Sequence, residues 1–149
     1  MSAADKRRAF RQLHETGCFV IPNPWDLGSA RLLESLGFNA LATTSSGFAW
    51  SRARPDNGIT LDMALAHLAE MVEGTNVPIN ADFEAGFAAD AAGVEASVRL
   101  AVQTGVAGLS IEDATGDAAH PLYDVDTAAE RMRAARRAID SNGGDTLLV

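Results

Sequence analysis

Acidic residues gather at two points of the chain, each at the end of a short apolar run. Asp82 and Glu84 close the run that begins at Val77, and Glu112 and Asp113 follow Val106 to Ile111. Carboxylates brought together at neighbouring strand ends repel one another unless a cation stands among them. An all-oxygen donor set suits a hard cation, Mg²⁺ before Mn²⁺. The same acids could instead cap the following helices or pair with nearby arginines, and spacing alone leaves both readings open. A third group, Thr43-Thr44-Ser45-Ser46-Gly47, ends another apolar run. Small hydroxyl residues and a glycine in series can aim N–H and hydroxyl groups at an anionic oxygen, or form an ordinary polar turn. Neither a phosphate loop nor a dinucleotide fingerprint is present.

The elements that must carry these residues alternate regularly. Cys18–Pro22, Ala40–Thr44, Val77–Asp82, Val106–Ile111 and Thr146–Val149 read as five strands. Between them lie helical patterns. Leu32, Leu33 and Leu36 mark one, started at Asn23-Pro24 or at Asp26 and ended at Gly37. Leu61, Leu65, Leu68 and Val72 mark the next, starting near Thr60. Val94, Val98, Ala101 and Val102 mark a third after Asp90, and Ala128, Met132, Ala135 and Ile139 a fourth capped by Asp126. Ser45 to Gly58 and Glu112 to Val125 read as polar loops. Four βα units and a fifth strand imply an α/β fold with a parallel sheet and right-handed crossovers. Pattern alone does not choose between a barrel and a doubly wound sheet, such as a five-stranded flavodoxin-like domain. In either, the carboxyl ends of the strands form the site-bearing face.

Composition narrows the function classes. The chain has 149 residues, 20 acidic and 12 basic, and a formal net charge of -8. Nucleic acid is not an expected partner, because phosphate neutralisation needs clustered cations. The basic stretches Lys6–Arg11 and Arg131–Arg137 read as solvated helix faces. The one cysteine, Cys18, cannot form an internal disulfide and reads as a small buried hydrophobe. Met1–Leu13 lacks the apolar core of a signal peptide, and no stretch is apolar enough to span a membrane. A cytoplasmic protein without a membrane partner is expected. His14 and His67 read as helix-surface residues, and His120 as a loop residue. Trp25 and Trp50 flank loops at the same sheet end, as pocket liners or as packing.

Four blocks, each at a strand end, carry a resemblance: Ile21-Pro22-Asn23-Pro24-Trp25-Asp26, Thr44-Ser45-Ser46-Gly47-Phe48, Ala81-Asp82-Phe83-Glu84-Ala85-Gly86-Phe87, and Gly105 through Asp113. Together they resemble the isocitrate lyase/phosphoenolpyruvate mutase superfamily over nearly the whole chain. The resemblance implies a TIM-type (β/α)8 barrel, of which this chain holds about the first four βα units and strand five. It implies that Asp82 ligates Mg²⁺, with Glu84 and Glu112 holding the metal largely through water. Ser46 and Gly47 match residues that hold the substrate carboxylate, with Ser45 and Phe48 beside them and Trp25 near. Asp56 matches the acidic residue of a mobile loop and, with Glu112, takes a catalytic position. The implied substrate is a small 2-oxo or hydroxy acid, cleaved at a C–C or C–P bond through an enolate-like intermediate by a lyase, hydrolase or mutase.

The sequence departs from that pattern in the loop after the fourth strand. Isocitrate and methylisocitrate lyases carry a Lys-Lys-Cys-Gly-His block there; this chain reads Ala114-Thr115-Gly116-Asp117-Ala118-Ala119-His120. The mutase-type lysine after Glu112-Asp113 is also missing. Isocitrate lyase itself is not expected. The alternative is a barrel fragment that keeps only the metal- and carboxylate-binding face, with little turnover alone. Five strands leave two open edges, which invites pairing with another chain and implies a homo-oligomer.

Overall fold

The computed structural model describes Met1–Val149. Helix α1 (Ala3–Leu13) precedes α2 (Leu27–Ser35), β1 (Leu41–Ala42), α3 (Ser45–Ser51), α4 (Leu61–Gly74), β2 (Ile79–Asp82), α5 (Ala91–Gln103), β3 (Gly108–Ser110), α6 (Val125–Asp140) and β4 (Leu147–Leu148). The four strands pair in chain order, β1-β2-β3-β4, and every pair is parallel. Each helical crossover therefore returns the chain to the neighbouring position. That is the order a barrel requires, and it sets aside the doubly wound order of a flavodoxin-like sheet.

The expected second to fifth strands are β1 to β4. The expected first strand, Cys18–Pro22, forms no ladder; its one backbone hydrogen bond to the sheet is the Ala42 N–H donating to the Pro22 carbonyl at 3.1 Å, while Phe19 and Ile21 pack against the cluster of Phe10, Ala40 and Ala107. Cys18 is exposed, not buried as its apolar neighbours suggested.

Helix starts follow local chemistry. Asp26, Thr60 and Asp90 are the N-caps of α2, α4 and α5, each accepting an N–H from the first turn. For α6 the cap is Asp124 and not Asp126, because Asp124 is the residue whose carboxylate reaches the Thr127 N–H, at 2.9 Å. The stretch after Thr44, expected as loop, opens with α3: Thr44 caps it, and Phe48 and Ala49 bury its inner face. On α2 the inner face is Ala30 with Leu27 and Leu33, while Leu32 and Leu36 are exposed.

The main core lies between β2, β3, α5 and α6. Ala81, Phe83, Val94, Val98, Leu109, Ala135 and Ile139 are fully buried there. Ala101, Ala134 and Ala138 let α5 and α6 approach closely. Both basic stretches depart in part from a solvated helix face. Lys6 is buried and donates from Nζ to the Val72 and Thr75 carbonyls at the end of α4, both at 2.6 Å. Arg131 is buried under the loop after β2. In each case backbone carbonyls replace water as partners of the cation.

His67 is also buried, 5% exposed, and not on the helix surface. Its ring stacks on Phe48 with centroids 3.9 Å apart, and neither ring nitrogen has a partner. Burial, with Arg52 adding to it, pulls its pKa from 6.5 down to about 4; Asp26 opposes this weakly. The folded protein thus binds this proton less readily than the unfolded chain. Its contribution is intact above pH 6.5 and is lost as pH falls toward about 4. Replacing His67 by Leu should remove roughly 3 kcal/mol of acid destabilisation across that window, read from denaturant midpoints at a series of pH values. A wild-type acid slope retained in the variant would assign the effect elsewhere.

Candidate active site

Three acidic positions meet at the carboxyl end of the sheet. Asp82 is the last residue of β2, Glu84 stands two residues beyond it, and Glu112 two beyond the end of β3. The parallel register sets Asp82 beside Ser110. The backbone link continues past the strands: Phe83 N–H donates to the Ser110 carbonyl at 3.1 Å, and Glu112 N–H to the Glu84 carbonyl at 2.9 Å. Adjacent strands and these two bonds fix the acids in one neighbourhood.

Asp82 faces α3. Its carboxylate accepts the Ser45 N–H at 2.7 Å, and its own N–H donates to the Thr43 hydroxyl at 3.0 Å. The polar run after β1 is thus docked against the first acid of β2. Glu84 is 7% exposed, and its Oε1 is buried without a hydrogen-bond partner. Burial, then Asp82, Asp56 and Glu112, push its pKa from 4.5 up to about 7. Glu112 sits on the exposed rim, yet partial desolvation by the surrounding protein raises its pKa too, with Asp82, Asp56 and Asp113 adding to it. Asp56, on the exposed segment after α3, contributes to the shift of both acids.

The structure brings Asp82, Glu84, Glu112 and Asp56 into one electrostatic field, but no three acidic, His or Cys side chains close directly around one ion position. The buried, unpartnered Glu84 oxygen and the mutual repulsion still suit a cation held partly through water. Ser45 and Phe48 turn inward, while Ser46 and Gly47 line a cavity of about 480 Å³ with Asn23, Trp25, Thr44, Trp50 and Ser51. That volume accommodates a small carboxylic acid. Trp25 and Trp50, undecided in the sequence, flank this cavity. His120 is turned to solvent and lies 3.3 Å from Asp117.

The family model of phosphoenolpyruvate phosphomutase matches residues 10–149. The chain belongs to this family. A Burkholderia cenocepacia J2315 protein assigned as a lyase/mutase is 48% identical and superposes with a TM-score of 0.90, covering 93% of this chain and 50% of its own. The 2,3-dimethylmalate lyase of Eubacterium barkeri is 34% identical over 106 residues, 69% of this chain and 36% of the enzyme. A crystal structure of a 2,3-dimethylmalate lyase, a member of the phosphoenolpyruvate mutase/isocitrate lyase superfamily, has a TM-score of 0.85 at 30% identity over 99% of this chain and 52% of its own. A phosphonopyruvate hydrolase solved with oxalate and Mg²⁺ shares the fold, at 21% identity and a TM-score of 0.85 over 99% of this chain and 51% of its own. The chain spans about half the length of the curated relatives it matches. The family therefore comprises lyases and mutases of small carboxylates, and the solved neighbours are barrels of which this parallel sheet forms a part.

Gly47 shows how tightly the polar run is packed. A Cβ there would lie 2.7 Å from Thr44 Cγ2 and 3.1 Å from Trp25 Cβ. Gly47→Ala should displace the Trp25 ring or the α3 N-terminus while leaving the core intact. The expected readout is a changed Trp fluorescence spectrum with a melting temperature within a few degrees of wild type, the range typical of a substitution away from the core. An unchanged spectrum would show that this wall of the cavity is loose.

Proposed function

We propose that this chain carries the metal- and carboxylate-binding face of a Mg²⁺-dependent enzyme that cleaves a C–C or C–P bond in a small 2-oxo or hydroxy acid. The observation that carries this reading is the buried, unpartnered Glu84 carboxylate among Asp82, Glu112 and Asp56 at the ends of adjacent strands. Asp82, Glu84 and Glu112 would hold the cation, Mg²⁺ or alternatively Mn²⁺. When bound, the cation supplies a sink for the negative charge that develops on the 2-oxo oxygen as the bond breaks. Ser46 and Gly47 hold the substrate carboxylate, with Ser45 fixing Asp82 and Phe48 anchoring α3 from behind. Trp25 walls the cavity. Asp56 and Glu112 are the candidate groups for proton movement, since both stand at the open rim.

Two titrations test this. Mg²⁺ should bind the chain, and Asp82→Ala should weaken binding at least roughly tenfold, whereas Asp113→Ala leaves it within about threefold. Oxalate, a planar mimic of a 2-oxo acid enolate, should then bind only in the presence of Mg²⁺. Equal losses in the two variants, or oxalate binding without metal, would contradict the assignment.

A second reading, binding without turnover, is favoured by the loop after β3, where His120 is 84% exposed at its side chain and turned to Asp117. A substrate carboxylate and a developing oxyanion both need cationic partners; losing one such group commonly costs roughly 10²–10³-fold in rate. The chain alone should therefore turn over oxaloacetate, phosphonopyruvate or substituted malates far below the ordinary range of about 1 s⁻¹ or more. Turnover in that range would discard the second reading.

A further inference from the structure

We propose that Arg131 is a positioning residue for the acidic site: it clamps the loop that carries Glu84 and, through Tyr123, couples that loop to the one that carries Glu112. The proposal rests on the cation-site reading above. Arg131 lies on α6, far along the chain from either loop's acid, and is 2% exposed. Its guanidinium donates to three carbonyls of the segment after Glu84: Nη1 to Ala89 at 3.0 Å, Nη2 to Ala88 at 2.9 Å, and Nη2 to Ala85. The ring of Tyr123, at the end of the loop after β3, lies 4.4 Å from its central carbon. That ring face attracts the cation. The Tyr123 N–H in turn donates to the Asp113 carbonyl at 2.9 Å, beside Glu112.

The loop needs such a clamp. Glu84 and Phe87 both have positive φ, 44° and 53°, in a segment where neither is glycine. Conformations of this kind persist only where the surroundings hold them. Ser97 supplies one anchor, its hydroxyl donating to the Gly86 carbonyl at 2.6 Å. Arg131 supplies the others. A planar fork meets several carbonyls at once, which the point charge of a lysine does not reproduce. Unlike Arg8, Arg99, Arg136 and Arg137, Arg131 is in no salt bridge. Its buried charge is answered by backbone dipoles of the loop whose other side presents an acid. The clamp therefore supports from behind the Glu84 loop that the Glu112 N–H bond ties to its neighbour, without touching either carboxylate.

The experiment uses the full chain with Arg131→Met, Arg131→Lys and Tyr123→Leu, followed by amide hydrogen exchange and Mn²⁺ binding. Arg131→Met should speed exchange at residues 84–89 and at 112–123 while β2 and α5 stay protected, and should weaken Mn²⁺ binding roughly tenfold, the usual scale for a residue supporting a metal ligand. Arg131→Lys should keep part of both. Tyr123→Leu should loosen 84–89 even though it leaves every bond to that loop in place. If Arg131→Met does not fold, the other two variants carry the test. Wild-type exchange at 84–89 in both Tyr123→Leu and Arg131→Lys overturns the proposal, whatever Mn²⁺ does. Loosened loops in the variants, together with a wild-type protein that binds no Mn²⁺, would uphold the clamp and remove the cation reading instead.

Discussion

Repulsion among carboxylates at the ends of two adjacent parallel strands is the constraint around which this half of the fold is arranged. Parallel register places the end of β2 beside the end of β3, so acids at both ends cannot avoid one another. Glu84 carries most of the cost, because it is buried and its Oε1 has no donor. Its carboxyl is consequently held partly protonated near neutrality, with a pKa of about 7. A fold that merely needed a helix cap or a surface pair here would not bury an unpartnered acid next to two others.

The surrounding elements answer that constraint. The Ser45 N–H takes one oxygen of Asp82, which fixes the direction of one acid. Phe48 and His67 stack behind α3 and hold it in place, at the expense of an imidazole that stays neutral. Behind the Glu84 loop, Arg131 and Ser97 collect the carbonyls that the turn leaves pointing inward. The acidic face and its support thus come from different parts of the chain. The carboxyl ends of β2 and β3, the loops after them and α3 present the polar groups, whereas α4, α5 and α6 hold them.

Much of this was legible in the sequence. Alternating apolar runs implied a parallel sheet, the family resemblance implied the barrel order, and the motifs around Asp82, Glu84 and Glu112 placed the acids at strand ends. What escaped was everything decided by tertiary burial. His67 has a helical neighbourhood like any surface histidine; only the packing of Phe48 onto α4 makes it a core residue. Lys6 and Arg131 sit in runs of charge whose periodicity reads as solvated, because nothing local reveals that backbone carbonyls wait for them across the fold. The serines and glycine after Thr44 favour a turn in the sequence, and burial of Phe48 and Ala49 outweighs that preference and makes a helix. Cys18–Pro22 failed in the other direction: apolar and strand-like, it forms one sheet bond and no ladder.

The central claim is that a cation relieves the repulsion focused on Glu84, and stability against pH measures it most directly. A folded pKa of about 7, raised from 4.5, means that the folded protein keeps a proton the unfolded chain releases. The stability due to Glu84 is full below pH 4.5 and is lost as pH rises through about 7. His67 titrates in the opposite sense over much of the same window, so in a His67→Leu background denaturant midpoints should fall from pH 4.5 to about 7 in a chelator, and adding Glu84→Gln should flatten the fall. With millimolar Mg²⁺ the slope of the His67→Leu protein should vanish or reverse, because metal binds the deprotonated acids. The same falling slope with and without Mg²⁺ would contradict the account.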